Sequence, residues 1–145
     1  MRLKPGWQGR FFEDFEPGDH YQHPLGRTVR ERQHLVHVAL TIAIAVGQSV
    51  TDVSQNVFAN LQMDEVRLPH PVFAGDTLWS ESLMLTKRES ESRPHAGIVT
   101  VRTRTPNQDG EEVCSFRRTF FVYKRGAPEL IDIFPQARSP IDAGD

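Results

Sequence analysis

The sequence predicts an α+β fold in which an antiparallel sheet wraps around one helix. Three observations predict it: an apolar segment without a helix breaker, four later segments of alternating polarity, and tight turns containing Gly and Asp. The predicted helix covers residues 33–46. The predicted strands cover residues 57–68, 77–90, 97–106 and 111–124. Because the last three strands follow one another directly, we expect an antiparallel meander rather than parallel βαβ units.

The predicted helix ends before Gly47, where a C-terminal glycine is expected, and residues 49–56 then resemble a polar turn. One apolar stripe is formed by Leu35, Val38, Ala39, Ile42 and Val46. In the second half of the predicted helix, the side opposite this stripe is also apolar. Since burial of apolar surface contributes ~25 cal/mol per Å², such a helix favours a fold in which a curved sheet covers it.

Two turns separate the predicted strands. Pro69 and Pro71 fix φ and lack a backbone N–H, which excludes a helix or a central strand at that point. Gly75 permits a positive φ, and Asp76 is expected to accept hydrogen bonds from turn amides. In the following strand, alternation separates Leu78, Ser80, Ser82, Met84 and Thr86 from Trp79, Leu83 and Leu85, so one of these faces is core. Asp109–Gly110 forms the tip of the second turn.

Length and composition are typical of a single globular domain. We expect this domain at residues 11–125, with short extended pieces before the helix, a flexible arm at 1–10 and a Pro- and Gly-rich tail at 126–145. A net charge of −2 gives no general attraction to nucleic acid or to an anionic membrane. The single cysteine, Cys114, excludes an intrachain disulfide and is expected in the core. With no apolar segment typical of a signal peptide, these features favour the cytoplasm.

Several sequence segments resemble the MaoC-like acyl-CoA hydratases of the hotdog superfamily. They are FEDFEPGD at residues 12–19, PVFAGDTL at 71–78, KRESESRP at 87–94 and NQDGEEVCSFRRTFFVYKR at 107–125. Within that superfamily the chain is similar to the mesaconyl-CoA hydratase branch. The resemblance implies a dimeric hotdog fold, or a dimer of dimers, and an acyl-CoA thioester as substrate or ligand, with no cofactor.

The resemblance also implies an acid/base pair, an Asp or Asn followed by a His, in a loop before the core helix. Hydration of an enoyl thioester needs such a pair to activate water and to protonate the α-carbon. The segment that carries it in relatives is missing after about Ala39, and residues 28–60 contain no Asp or Asn followed five positions later by His. His34 and His37 lie near that position and would share one side of a helix. They are therefore catalytic candidates, with exposed helix histidines as the ordinary alternative.

Other candidate side chains concern substrate binding. Coenzyme A carries phosphates, which need cations, and Lys87, Arg88 and Arg93 flank one predicted connection. His70, beside the Pro-rich turn, is a further candidate, whereas His20, His23 and His95 are expected to be solvated. Alternation places Arg117 and Arg118 on opposite faces, and Arg102 and Arg104 on a solvated sheet exterior. No spacing of His, Cys, Asp and Glu indicates a metal site.

Two functions remain open from the sequence. The first is reversible addition of water to an acyl-CoA thioester, altered by the missing segment. The second is a non-catalytic hotdog subunit that binds acyl-CoA or serves only in assembly. The charge balance and the absence of a basic, aromatic face argue against a nucleic-acid-binding protein.

Overall fold

The computed structural model describes residues 4–30, 35–131 and 135–142 of the 145-residue chain. Within these residues lie one α-helix and seven strands. They are β1 (His20–Gln22), β2 (Arg27–Thr28), α1 (Val38–Ser49), β3 (Val57–Arg67), β4 (Thr77–Leu78), β5 (Glu81–Glu89), β6 (Ala96–Pro106) and β7 (Glu112–Tyr123). Short 3₁₀ turns occur at Phe12–Asp14 and Pro128–Leu130, and a π-helical turn, Val50–Ser54, follows α1.

The main sheet has the strand order β1-β5-β6-β7-β3, and every neighbouring pair is antiparallel. Strands β2 and β4 form a separate two-stranded ribbon. The predicted meander is therefore confirmed as β5-β6-β7, and β3 returns to pair with β7. Helix α1 packs on β6 and β7, which places it on the inner face of the sheet.

The helix begins and ends later than predicted. Leu35 forms a β-bridge with Phe73, and the Val36 amide donates to the Val72 carbonyl, so these residues are extended. His37 is the N-cap, and its Nδ1 accepts from the Ala39 amide at 3.1 Å. At the other end, the helix passes through Gly47 to Ser49 and continues as the π-helical turn. The predicted C-terminal glycine and the polar turn at 49–56 were therefore wrong, because Gly47 lies on an exposed face where helix geometry is tolerated.

The buried face of α1 also differs from the predicted stripe. Its buried residues are Thr41, Ile44, Ala45 and Ser49, whereas Val38 is 51% exposed and Ile42 and Val46 are only partly buried. Ile44 and Ala45 contact one hydrophobic cluster with Leu78 and Phe116. A second cluster, which includes Phe15 and Phe120, lies under β5, β6 and β7. The sheet therefore covers one face of the helix and leaves the other open.

The predicted strand at 77–90 is two strands with a break at Trp79 and Ser80. Its core face is the Leu78, Ser80, Ser82 and Met84 face, while Trp79 and Leu83 are exposed. A register shift between Met84 and Thr86 moves Thr86 off that face, contrary to simple alternation. Buried hydroxyls therefore line part of the sheet: Ser80 bonds Thr105 and Ser82 bonds Thr103, each at 2.8 Å.

Both predicted turns are confirmed. Gly75 has φ +98°, and the Asp76 carboxylate accepts from the Phe73 amide at 2.9 Å. Gly110 has φ +78° at the tip of the β6–β7 hairpin. The turn after Pro71 thus directs the chain from the end of β3 back to β4.

Two further features bear on function. The Trp7 Nε1–H donates to the Thr51 carbonyl at 3.0 Å, so residues of the predicted arm contact the π-helical turn. Within the described ranges, no helix is long and apolar enough to cross a membrane.

Candidate functional site

A buried histidine connects four parts of the chain under the end of α1. His23, which follows β1, places Nδ1 2.8 Å from the Asp52 carboxylate in the π-helical turn. Its Nε2 lies 2.9 Å from the Ser82 hydroxyl on β5, and Arg10 donates to the other Asp52 oxygen at 2.9 Å. The His23 side chain has no exposed surface. The prediction that His23 is solvated was wrong, because Asp52 and Ser82 supply the partners that water would otherwise provide.

The protonation of this network follows from its surroundings. Burial lowers the pKa of His23, although the hydrogen bond that the ring donates to Asp52 opposes the shift, so the ring is neutral. Its Nδ1–H then donates to Asp52, and Nε2 accepts from the Ser82 hydroxyl. Burial alone raises the pKa of Asp52, but the hydrogen bonds from His23 and Arg10 outweigh it and hold that pKa below its usual range.

The order Ser82, His23 and Asp52 matches the nucleophile, base and orienting acid of a hydrolytic triad. However, Ser82 is fully buried and donates to His23 from within a row of packed hydroxyls. A nucleophile must reach its substrate, so this arrangement does not support hydrolysis. The network instead fixes the position of the π-helical turn against β1 and β5.

A buried arginine lies on the inner face of β7. Arg118 is 2% exposed, and within the described ranges its only hydrogen bond is a long one of 3.3 Å from Nη2 to the Ser49 hydroxyl. Its Nε has no partner among the described residues. Burial lowers the pKa of Arg118 to about 10, and no charged partner among those residues opposes this. The predicted opposite orientation of Arg117 and Arg118 is confirmed, since Arg117 is 39% exposed and pairs with Asp64.

His37, one of the two catalytic candidates, lies outside the turns of helix α1. His37 is exposed at the N-cap of α1 and has an extended conformation, with φ −63° and ψ 135°. His34 lies outside the described residues. His37 is surrounded by exposed apolar side chains, since Leu35 and Val38 adjoin it and Phe73 pairs with Leu35. Helical i, i+3 spacing therefore does not relate these two histidines.

His70 lies in the Pro-rich turn and is half exposed. Its Nδ1 lies 3.1 Å from the Glu112 carbonyl, and its Nε2 lies 3.6 Å from Glu111. Glu112 is the first residue of β7, and Glu111 precedes it. The contacts therefore tie the turn to the sheet and leave the imidazole accessible to solvent.

The three predicted phosphate-binding cations do not form one patch. Lys87 points to the inner side, where it pairs with Glu16 at 3.6 Å and lies 5.1 Å from the Phe12 ring centre. Arg88 is exposed on the neighbouring position of β5. Arg93 lies in the β5–β6 connection, with its guanidinium 5.6 Å from the Phe58 ring centre. Successive strand residues face opposite sides, which separates Lys87 from Arg88.

Arg93 borders a small cleft of about 190 Å³ at one end of the sheet. Its wall is aromatic: the Phe58 ring lies 4.3 Å from that of Tyr123 and 5.5 Å from that of Phe121. His95 and Glu129 also line it. Phe58 begins β3 and Tyr123 ends β7, so the pairing of these strands builds the wall.

A larger groove of about 510 Å³ lies on the outer face at the opposite end. Arg67, Arg102 and Arg104 line it together with Glu81, Glu112 and His20. Arg102 pairs with Glu65, and Arg104 pairs with Glu81, which also contacts His20. The predicted solvated exterior is confirmed for Arg102 and Arg104, and carboxylates largely balance their charges. Among the described residues, no three His, Cys, Asp or Glu side chains are grouped to hold a metal ion.

Sequence reasoning missed His23, Asp52 and Arg118. His23 and Asp52 are separated by 29 positions, and neither stands in a recognisable motif. Arg118 could have been recognised as buried from the sequence, because the alternating pattern places it on the inner face, between Phe116 and Phe120. Cys114 was placed correctly in the core, and burial, assisted by Glu112, raises the pKa of its thiol to about 11.

Comparison with known proteins finds related sequences. The model of a family described as mesaconyl-CoA hydratase matches residues 30–132. The mesaconyl-CoA hydratase of Cereibacter sphaeroides is 34% identical over 167 residues, covering 94% of this chain and 48% of that protein. The β-methylmalyl-CoA dehydratase of Chloroflexus aurantiacus is 28% identical over 155 residues, covering 85% and 44%. The chain thus spans about half the length of these relatives.

The same alignments indicate an internal gap. The first has 167 positions, whereas 94% of 145 residues is about 136, which leaves about 31 positions of the relative without a counterpart. The second has 155 positions, whereas 85% of 145 residues is about 123, which leaves about 32. That these unmatched positions form one segment after about Ala39 stays a prediction.

Solved structures confirm the hotdog fold. A Chloroflexus aurantiacus protein described as a MaoC domain dehydratase superposes with a TM-score of 0.79 at 24% identity, covering 97% of this chain and 46% of that one. A Mycobacterium tuberculosis protein described as having a double hotdog fold gives a TM-score of 0.75 at 20% identity, covering 95% and 53%. In both cases one hotdog unit of this chain matches about half of a longer protein.

Proposed function

Since this chain belongs to the mesaconyl-CoA hydratase family of MaoC-like hotdog proteins, we propose that it binds an acyl-CoA thioester and acts in the reversible addition of water to it. The match of the family model to residues 30–132 carries this proposal. The inner helix and antiparallel sheet support it, because a protein described as a MaoC domain dehydratase has the same fold.

The chemistry of hydration sets what the chain must supply. A base activates water, an acid protonates the α-carbon, and a hydrogen-bond donor polarises the thioester carbonyl. His37, exposed at the start of α1, is the described residue that we assign to proton exchange with the ligand. The His23–Asp52 pair is enclosed and holds its proton within the fold. Because a general acid or base contributes ~10² to 10⁴ in rate, we expect slower turnover than in relatives with a complete pair.

A hydration assay tests this proposal. Crotonyl-CoA and mesaconyl-CoA are followed spectroscopically with the parent protein and with His37→Ala and His34→Ala. We expect measurable turnover that falls with His37→Ala, while binding of the saturated butyryl-CoA is retained. Turnover that neither substitution changes would remove both histidines as candidates. Absence of both turnover and binding would refute the function.

A second function is favoured by the gap of about 30 positions in the alignments. In this alternative the chain is a non-catalytic acyl-CoA-binding subunit. A graft distinguishes the two: the unmatched segment of the Cereibacter sphaeroides protein is inserted after Ala39. A large gain in hydration by a folded graft, from a parent without turnover, supports the binding subunit. Turnover in the parent that the graft leaves unchanged supports the hydratase.

We further propose that two copies associate along β3. This strand is a sheet edge, and it exposes Leu61 and Met63 at 49% and 40% of their surface. The outer face of α1 adds exposed Val38, Ala39 and Ala43, and the π-helical turn adds exposed Val50. An unpaired, apolar edge favours pairing with another strand, and a second copy offers the same edge in antiparallel orientation. The longer relatives that match one hotdog unit over about half their length support this arrangement.

The cytoplasm is the proposed location. Coenzyme A thioesters are made and used there, and a single buried cysteine suits a reducing compartment. Fractionation of the native host, with the protein detected by antibody, tests this. Recovery in the membrane or exported fraction would contradict it.

A further inference from the structure

We propose that the aromatic cleft at Arg93 binds the nucleotide end of a coenzyme A thioester, with adenine in the cleft and the 3′-phosphate on the Arg93 guanidinium. This cleft is formed by Phe58 of β3, Tyr123 of β7 and residues 92–96. The proposal rests on the function proposed above and adds the place where the non-reacting end of the ligand is held.

The size of the cleft limits what it can hold. Its volume of about 190 Å³ is well below the roughly 300–1,000 Å³ of sites that enclose a drug-sized ligand. One planar ring system fits this space, whereas a whole coenzyme A does not. The rest of the ligand must therefore leave the cleft and cross the surface.

The wall of the cleft suits a flat aromatic group. Phe58 and Tyr123 are 4.3 Å apart between ring centres with a 32° tilt, and the Phe121 ring is nearly parallel to that of Phe58, 5.5 Å between centres. Both Phe58 and Tyr123 are only partly buried, so their remaining ring surface faces solvent. Nucleic acid bases stack on such side chains without regard to sequence, because every base has a π-face.

Arg93 is available for a phosphate. Its backbone is held, since its amide donates to the Ser90 hydroxyl and its carbonyl accepts from the Ala96 amide, each at 3.1 Å. Its guanidinium rests against Phe58 and Phe121, and no described carboxylate forms an ion pair with it. A planar guanidinium with free N–H groups binds phosphate in a bidentate manner.

Other cations are less suited to this task. In the larger outer groove, Arg102 and Arg104 are paired with Glu65 and Glu81. Lys87 is paired with Glu16. A phosphate at those places would have to displace a carboxylate, whereas at Arg93 it displaces only water.

Glu129 orients the ligand within the cleft. Glu129 lines the same cleft as Arg93, and its carboxylate repels a phosphate, since like charges repel. A carboxylate accepts hydrogen bonds from an exocyclic amino group, such as that of adenine. The ring is therefore placed with its amino group toward Glu129 and its ribose phosphate toward Arg93.

Calorimetric titration of butyryl-CoA and its 3′-dephospho form tests the assignment. We expect Arg93→Ala to weaken butyryl-CoA binding about tenfold or more, as for the loss of a charged hydrogen bond. In that variant the two ligands should bind equally. Arg88→Ala is the matched control, because it removes an exposed arginine near the same connection that does not line the cleft. Equal affinity of Arg93→Ala and the parent for butyryl-CoA would overturn the proposal.

Two probes separate this proposal from the proposed function. Adenosine 3′,5′-bisphosphate carries only the nucleotide, and butyryl-pantetheine carries only the thioester end. Bisphosphate binding that Arg93→Ala and Phe58→Leu both weaken supports the cleft even if no thioester binds. Butyryl-pantetheine binding without any bisphosphate binding refutes the cleft and leaves the proposed function standing. Binding of neither probe refutes both.

Discussion

Replacing Arg118 with Met is expected to stabilise the protein. The arginine is buried on the inner face of β7. Among the residues that the structure describes, its Nε has no partner and its one hydrogen bond, to Ser49, is long. Methionine keeps most of the unbranched stem and removes the charge. Buried charges replaced by apolar residues of similar size often leave stability unchanged or raise it.

The structure gives the expected size of the effect. Burial lowers the pKa of Arg118 to about 10 from an ordinary value above 12, and each pKa unit corresponds to ~1.36 kcal/mol. The folded state therefore holds this charge at a disadvantage of about 3 kcal/mol. The contact of the guanidinium with the Phe120 ring, 5.1 Å from its centre, offsets about 1 kcal/mol. Arg118→Met should raise the free energy of unfolding by about 1 to 2 kcal/mol.

Urea unfolding, followed by circular dichroism at fixed protein concentration, measures this change. Arg117→Met is the matched control. The adjacent Arg117 faces outward and pairs with Asp64 through two hydrogen bonds of 2.8 and 2.9 Å. Its loss should lower stability by no more than about 1 kcal/mol. A loss of stability in Arg118→Met larger than in the control would show that Arg118 has a charged partner in the assembled protein.

The pH dependence of stability should reveal His23. The pKa of His23 is lowered in the folded protein, so below about pH 6.5 the unfolded chain takes up a proton first. The free energy of unfolding therefore falls with decreasing pH by up to ~1.36 kcal/mol per pH unit. His23→Gln should remove this loss of stability in unfolding titrations from pH 7 to 5. Asp52 affects the free energy of unfolding at lower pH. Because its pKa is lowered in the folded protein, the ionised carboxylate stabilises the fold, and this stability is lost only below about pH 4. Gly97→Ala would place a Cβ 2.1 Å from the Phe12 ring and should cost about 2 kcal/mol or more, partly recovered by Phe12→Leu in thermal unfolding. Light scattering should give twice the 16.5 kDa chain mass for the parent and a monomer for Leu61→Lys, whereas a parent monomer at micromolar concentration would contradict the dimer.

Local patterns were enough to predict the strands. The segment predicted at 97–106 is observed as Ala96–Pro106, and the one at 111–124 as Glu112–Tyr123. Period-two alternation and the turn at Gly110 act over a few residues, and both are visible in the sequence. The break at Trp79 and Ser80 was not visible, because it arises when the chain changes its pairing from β2 to β1 and β6.

Long-range contacts decided what the sequence did not show. The helix start moved to Val38 because Val36 is held in an extended conformation by Val72, 36 positions later. His23 is buried because Asp52 and Ser82 meet it in space, and no spacing rule relates the three residues. The resemblance to a family led to the proposed acyl-CoA ligand class, whereas the Arg93 cleft required the pairing of β3 with β7 to become apparent.

Affinity for butyryl-CoA tests the central claim most directly. This thioester has no double bond to hydrate, so calorimetry reports binding apart from turnover. The account predicts saturable binding at one site per chain, with a dissociation constant between about 1 μM and 1 mM, as for typical enzyme substrates. Absence of saturable binding at ligand concentrations of about 1 mM, with the protein shown to be folded, would contradict it.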